Sequence, residues 1–96
     1  MLVLPNGQGA LKSSLTISLE DDSGQSIPDI EIKLLNTSKQ ILKTINTSIS
    51  GVVVFSNLKP GDYFVRINKQ TGYKAFNDTP VSVDGDSDIS VVLELE

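Results

Sequence analysis

The chain of 96 residues contains no cysteine and no histidine. Without cysteine there is no disulfide bond and no thiolate nucleophile, and without either residue the usual zinc ligand sets are missing. Imidazole acid–base catalysis is excluded as well. No other pairing of a nucleophile with a base is visible in the sequence. We therefore expect a protein that is not an enzyme and that holds neither a metal nor a cofactor.

Alanine, clustered basic residues and long apolar runs are also scarce. Only two alanines occur, whereas valine, isoleucine, threonine and serine are abundant, and this composition favours β-strands. The eight Lys and Arg residues are scattered singly and the formal net charge is −4, so nucleic-acid binding is not expected. No run approaches the length of a membrane-spanning helix. The length allows one domain, and 39% hydrophobic residues is typical of a folded one.

Apolar and polar residues alternate in about seven short segments that are separated by turn residues. In the first segment, Leu15, Ile17 and Leu19 share one face. The other segments lie near residues 30–34, 40–45, 51–58, 61–67, 80–83 and 89–95. Short strands at nearly regular spacing predict an all-β, antiparallel sandwich. We expect residues 1–13 to be a flexible lead-in or linker and residues 14–96 to be a single sandwich domain.

The stretch 51–67, GVVVFSNLKPGDYFVRI, predicts two strands joined by a tight turn. Pro60 presets φ at the second position of a type II turn, and Gly61 suits the positive φ that follows. We interpret the stretch as a hairpin at the centre of the fold. The residues expected to face the core are Val53, Phe55, Leu58, Tyr63, Val65 and Ile67.

The reverse side of this hairpin is apolar too. Val52 and Val54 point away from the predicted core on one strand, and Phe64 does so on the other. If the two strands pair, these three residues form a patch, and exposed apolar patches mark docking surfaces. The alternative is that they are ordinary cross-strand partners within the sandwich. The patch is the candidate interface of the chain.

The central stretch resembles the collagen-adhesin B-type (Cna B-like) domain, a prealbumin-like, or transthyretin-like, sandwich found in tandem in Gram-positive adhesins and pilins. The resemblance covers about residues 15–93 and is strongest at the LKPGDY corner. The residues that carry it are Gly51, Phe55, Leu58, Pro60, Gly61, Tyr63, Gly72 and Tyr73. It implies a non-catalytic stalk or spacer module, extracellular as part of a bacterial cell-wall or secreted multidomain protein.

The resemblance leaves other roles open. A binding module would recognise carbohydrate or an extracellular matrix protein, and an accessory domain would lie beside a hydrolase. In the stalk interpretation the partners are the neighbouring domains of the same chain, and a host matrix protein or glycan is contacted through the parent protein. No membrane contact by this segment is expected.

Many Cna B-like domains carry an isopeptide bond between a lysine on the first strand and an Asn or Asp on the last, assisted by a buried glutamate. By the resemblance, Leu19 stands at the lysine position, Ile67 at the glutamate position and Leu93 on the inward phase of the last strand. An unpaired buried charge costs several kcal/mol, whereas replacing the whole set by aliphatic residues leaves stability intact. The resemblance therefore implies a domain without the crosslink. Lys12, the nearest other donor, lies on the outward phase.

Two further features suggest sites, each with a plainer interpretation. The turn at 84–88 carries three alternate aspartates, which suit calcium, but Ile89 and Leu95 replace the glycine and glutamate that an EF-hand requires. We expect a solvated turn. Tyr73 and Phe76 can stack on a sugar or cover one end of the sandwich, and scarce aromatic residues favour the second role.

Three N-x-S/T motifs begin at Asn36, Asn46 and Asn77. As glycosylation sites they matter only in a eukaryotic secretory route. We interpret them as asparagines in turns.

Overall fold

The computed structural model describes residues 12–96, which form two packed β-sheets. The strands in chain order are β1 (Ser13–Asp21), β2 (Glu31–Leu35), β3 (Ile41–Asn46), β4 (Val52–Leu58), β5 (Gly61–Arg66), β6 (Thr79–Val83) and β7 (Asp86–Leu93). Sheet A has the strand order β4-β1-β7, and sheet B has the order β3-β2-β5-β6. The predicted seven-stranded sandwich is confirmed. The predicted lead-in at 1–13 lies outside the described residues, apart from its last two.

Alternation along the strands builds the core between the two sheets. In β1, Leu15, Ile17 and Leu19 are buried while the intervening side chains are partly exposed. Phe55 is the largest of the fully buried side chains, and burying such a residue contributes about 1.5–3 kcal/mol. The inward-facing residues predicted for the central stretch are all buried, namely Val53, Phe55, Leu58, Tyr63, Val65 and Ile67. Residues 12–96 contain no helix that could span a bilayer.

The central stretch is not a hairpin. β4 pairs with β1, whereas β5 pairs with β2 and β6, so the chain crosses from sheet A to sheet B between the two strands. Gly61 has φ of +154°, far from the value of about +80° in a type II turn, and the left-handed residue is Asn57 at +59°. The hairpin prediction was wrong because alternation shows which residues face inward and not which strand lies alongside.

The crossing is held by Tyr63. Its hydroxyl donates a hydrogen bond to the carbonyl oxygen of Lys59, and the residue is 9% exposed. Tyr63 is therefore a packing residue whose hydroxyl has a hydrogen-bond partner. Pro60 lies between Lys59 and Tyr63 in the chain, and Pro60 and Tyr63 together shape the corner where the chain changes sheets.

The candidate interface is divided between two faces of the sandwich. Val52 and Val54 lie in sheet A opposite residues of β1, and Val54 is 46% exposed. Phe64 lies in sheet B, opposite Leu35 of β2. The single patch expected from these residues does not form, because it required β4 and β5 to be neighbours in one sheet.

One strand pair departs from the antiparallel prediction. β1 and β7 run parallel through eight registered positions, from Ser14 opposite Asp86 to Asp21 opposite Leu93. The other paired strands of residues 12–96 are antiparallel. Because β1 begins where β7 begins, the described chain enters at one end of the sandwich and leaves at the other. We call these ends the N-terminal pole, where Ser13 lies, and the C-terminal pole, where Leu93 lies.

The open sides of the sheets carry features that discourage pairing with other chains. β6, at one edge of sheet B, contains Pro80, which has no amide hydrogen to donate. At the other edge, Lys43 of β3 reaches across to sheet A, where its Nζ lies 2.6 Å from the carbonyl oxygen of Ser56. A charged side chain turned toward the inside of an edge strand is a common protection against edge-to-edge association.

Candidate functional site

The terminal strands β1 and β7 form the feature on which a mechanical role depends, and we call this parallel pair the terminal ribbon. At the N-terminal pole, Ser14 Oγ donates to Asp86 Oδ1 at 2.9 Å. The amide of Gly85 donates to Ser13 Oγ at 2.8 Å, and Ser13 is 3% exposed. These side-chain bonds extend the backbone pairing to the point where the strands begin. β1 also pairs with β4, so it is held on both edges.

The three positions that correspond to the crosslink of related domains all lie in the core behind the terminal ribbon. Leu19 is 1% exposed, and Ile67 and Leu93 are each 2% exposed, all within one hydrophobic cluster. No buried side-chain nitrogen or oxygen in residues 12–96 lacks a hydrogen-bond partner. These positions offer neither an amine nor a carboxyl group. Lys12, the other donor considered, is exposed.

Asp21 lies at the end of β1, and the residue is 8% exposed. Its Oδ1 accepts hydrogen bonds from the amides of Ser23 at 2.8 Å and Gln25 at 3.0 Å. An aspartate that bonds the backbone in this way closes a turn. The Asp21 carboxylate therefore shapes the β1–β2 connection. Within residues 12–96, no three acidic side chains come together as a metal site.

The loop between β5 and β6 covers the C-terminal pole. Tyr73 and Phe76 are partly buried and pack against the core cluster. Tyr73 forms an isolated β-bridge with Leu95, and the Lys74 amide donates to the Glu94 carbonyl oxygen at 2.8 Å. The structure thus places both aromatic residues where the covering interpretation predicted them.

An ion-pair network on the outer side of sheet B was missed in the sequence. Asp78 accepts two hydrogen bonds from Arg66, at 3.0 and 2.8 Å, and one from Lys39 at 2.9 Å. Lys39 Nζ also lies 4.1 Å from the ring centroid of Phe64, a cation–π contact. These residues are far apart in the chain, so no local pattern could have revealed the network.

The network shifts the ionisation of its members. The hydrogen bonds from Arg66 and then Lys39 hold the pKa of Asp78 well below its usual range. The hydrogen bond to Asp78 raises the pKa of Arg66. The network joins the β2–β3 turn to the loop before β6, and it is a stabilising contact of sheet B.

Residues 18–94 match the model of the SdrD B-like domain family. The chain belongs to that family. This confirms the resemblance to Cna B-like domains, of which the SdrD B-like domain is one type. The matched range runs from within β1 to just beyond β7 and includes all three aliphatic positions behind the terminal ribbon.

The SdrD B-like domain also resembles part of a much longer protein. It is 27% identical over 89 residues to Colossin-A of Dictyostelium discoideum, and this covers 88% of the chain and 1% of Colossin-A. The chain therefore spans a very small part of that relative.

Solved structures show the same fold in bacterial proteins. The SdrD B-like domain superposes on BcpA, the major pilin subunit of Bacillus cereus, with a TM-score of 0.76 and 16% identity, over 98% of this chain and 31% of the pilin. For the minor pilin of Streptococcus agalactiae the TM-score is 0.75 with 16% identity, over 88% and 45%. For the Bacillus anthracis TIE protein it is 0.75 with 19% identity, over 88% and 16%. The chain spans less than half of each.

The family match supports a coarse functional conclusion. Membership of the SdrD B-like family supports a structural module of surface proteins, located outside the cell or in the cell wall. The three solved structures, at 16–19% identity, support the fold alone.

Proposed function

We propose that this SdrD B-like domain is a spacer in the stalk of a cell-surface or secreted adhesin-type protein, and that it bears tension without an intramolecular isopeptide bond. The observation that carries the proposal is the terminal ribbon. Its parallel strands enter at one pole and leave at the other. A pull on the two ends therefore passes directly through the pair.

The direction of the load explains why this geometry suits a spacer. Tension at the start of β1 and the end of β7 slides the two strands along each other. Their hydrogen bonds are then loaded together rather than one after another, and each contributes about 0.5–1.5 kcal/mol. The second ladder of β1, to β4, opposes the same sliding motion.

The aliphatic residues behind the ribbon support the absence of a crosslink. The space in which a lysine, a glutamate and an amide would react is filled by Leu19, Ile67 and Leu93. Each of these residues is at most 2% exposed. Packing of these side chains holds the strands where related domains use a covalent bond. A binding role through Tyr73 and Phe76 is less well supported, because both pack against the core.

The proposed partners are the neighbouring domains of the same chain. Contact with a host matrix protein or a glycan would be made elsewhere in the parent protein. The three bacterial structures support a Gram-positive cell wall as the location, and a similar sequence also occurs in a Dictyostelium protein.

Single-molecule pulling tests the proposal. The domain, placed between reference modules and pulled from its ends, is expected to unfold in one event. About 80 residues have an extended length of roughly 280 Å, and the increase in contour length on unfolding should equal this value minus the end-to-end distance of the folded domain. A bond joining residues 19 and 93 would limit the release to roughly 30 Å. Unfolding at forces no higher than those of a hairpin pulled open strand by strand would contradict the tension-bearing role.

The mass of the intact chain gives an independent check on the crosslink. The measured mass is expected to equal that of the sequence. A deficit of about 17–18 Da, from loss of ammonia or water, would show that an amide bond has formed.

A further inference from the structure

The turn between β3 and β4 presents one apolar side chain to solvent. We call residues 47–51 the Ile49 turn. Ile49 is 89% exposed, the largest exposure among the large hydrophobic residues of 12–96. Its side chain therefore contributes almost no burial to the fold. Scattered exposed aliphatic residues are common, so exposure alone does not assign a role.

The Ile49 turn is held tightly around this side chain. The amide of Gly51 donates to the carbonyl oxygen of Ser48 at 2.8 Å. The amide of Ser48 donates to the carbonyl oxygen of Val52 at 3.0 Å. Ser48 Oγ accepts from the amides of Ser50 and Val52, each at 3.3 Å. Backbone and side-chain bonds together close the turn on itself.

One flank of the turn is anchored by a buried hydroxyl. Thr47 is 5% exposed, and its Oγ1 donates to the carbonyl oxygen of Ile27 at 2.8 Å. The same oxygen accepts from the amide of Ile30 at 2.9 Å. The β1–β2 connection and the Ile49 turn are thereby joined into one rigid surface at the C-terminal pole.

The other flank is anchored by Gly51. The amide of Leu19 donates to the carbonyl oxygen of Gly51 at 2.7 Å. Gly51 has φ of +77°, and a β-carbon there would lie 2.6 Å from the carbonyl oxygen of Leu19. The turn is fixed on both sides, so the backbone that carries Ile49 is held in place, and a partner that binds there has little backbone ordering entropy to overcome.

The chain leaves the sandwich beside this turn. Sheet A places β4, β1 and β7 side by side, with Val52 opposite Ser18 and Leu93 opposite Asp21. The start of β4 and the end of β7 are thus two strand spacings apart across the sheet and three residues apart along it, which together is roughly 14 Å. Leu95, which follows β7 and is 42% exposed, adds apolar surface at the same pole.

We propose that the Ile49 turn is a docking contact for the module that follows this one in the same polypeptide. This inference rests on the proposed function, in which the domain is one spacer among several. A module attached just after Leu95 meets the C-terminal pole first. The turn, with sequence Thr-Ser-Ile-Ser-Gly, carries no charge, so an apolar recess can cover Ile49 without desolvating an ion. Such a contact fixes the angle between the modules and stiffens the stalk.

The test uses the stretch of the parent polypeptide that contains this module and the next with their natural junction. Backbone ¹⁵N relaxation reports whether the two modules tumble together. The wild type is expected to show one shared rotational correlation time. The Ile49→Ser variant should show two shorter, separate times, a decrease of roughly twofold. Val54→Thr, which changes a half-exposed aliphatic residue on the flank of sheet A, is the matched control and should behave as the wild type.

The single module provides the second part of the test. Because Ile49 is almost fully exposed, Ile49→Ser should leave its melting temperature unchanged within about 2 °C. A larger decrease would assign Ile49 to the fold and overturn the proposal. Independent tumbling in the wild type, or no change on substitution, would overturn it as well. Concentration-dependent association of the single module that Ile49→Ser abolishes would identify a second copy as the partner instead. All these results leave the pulling test untouched, since that test uses one module.

Discussion

Leu19 and Gly51 are joined so closely that the second residue has to be glycine. The Leu19 amide donates to the Gly51 carbonyl oxygen at 2.7 Å, while a β-carbon on Gly51 would lie 2.6 Å from the carbonyl oxygen of Leu19. The contact joins the end of β1 to the turn before β4. A large part of the C-terminal pole therefore depends on one backbone position.

Gly51→Ala is expected to destabilise the domain by about 3 kcal/mol or more. The new methyl group meets backbone atoms that cannot move aside, and the left-handed φ adds about 1–2 kcal/mol. Gly24→Ala is the matched control, because Gly24 has φ of +87° with nothing within 4 Å of its β-carbon. For Gly24→Ala, urea unfolding should show that the free energy of unfolding falls only by the conformational cost of about 1–2 kcal/mol. Equal losses at the two glycines would mean that the close approach has no effect.

Thr47→Val is expected to cost about 1–3 kcal/mol. The substitution keeps the shape but removes the hydroxyl, so the buried Ile27 carbonyl oxygen and the partly buried Ile30 amide each lose this partner. Thr44→Val, at an exposed position of β3, is the control and should change the free energy of unfolding by less than about 0.5 kcal/mol. Thermal unfolding of the two variants compares them directly. If Thr47→Val left the free energy of unfolding unchanged, water would be shown to replace the hydroxyl as the hydrogen-bond partner.

Leu19→Lys is expected to destabilise the domain by about 3–5 kcal/mol. A single lysine at this position is a buried amine without a counterion, because the neighbouring residues Ile67 and Leu93 are aliphatic. Leu19→Met, which nearly conserves volume, should cost less than about 1.5 kcal/mol. If the lysine variant were as stable as the methionine variant, the space behind the terminal ribbon would be open to water.

The network around Asp78 should make stability depend on pH on the acidic side. The pKa of Asp78 is lowered in the folded state, chiefly by its hydrogen bonds from Arg66. The group therefore stabilises the fold fully above its ordinary pKa of about 4, and this contribution is lost as the pH falls through the lower, folded value. The Asp78 side chain is only partly buried and lies at the surface, where solvent screens its ion pairs, so the gain is about 0.5–1 kcal/mol.

Comparison of variants isolates that contribution. Asp78→Asn should flatten the decrease in unfolding free energy between about pH 4 and pH 2. Lys39→Gln removes the cation that lowers the pKa of Asp78 less than Arg66 does, so this variant should flatten the acid decrease less than Asp78→Asn. An unchanged acid slope in Asp78→Asn would assign the dependence to other carboxylates.

The strands and the core of this protein follow from short-range pattern. Alternation of apolar residues identified the seven strands, and the same period identified Leu19, Ile67 and Leu93 as core positions. This succeeds because inward and outward orientation depends only on the pleat of each strand.

Tertiary structure alone decided which strands became neighbours and what the loops do. The sequence predicted that β4 and β5 pair, yet they belong to different sheets, and β7 lies parallel to β1. Alternation is identical for every partner, so it holds no information on pairing. The Asp78 network and the position of Ile49 beside the chain exit depend on contacts between residues distant in the chain, and these exist only once the two sheets have packed.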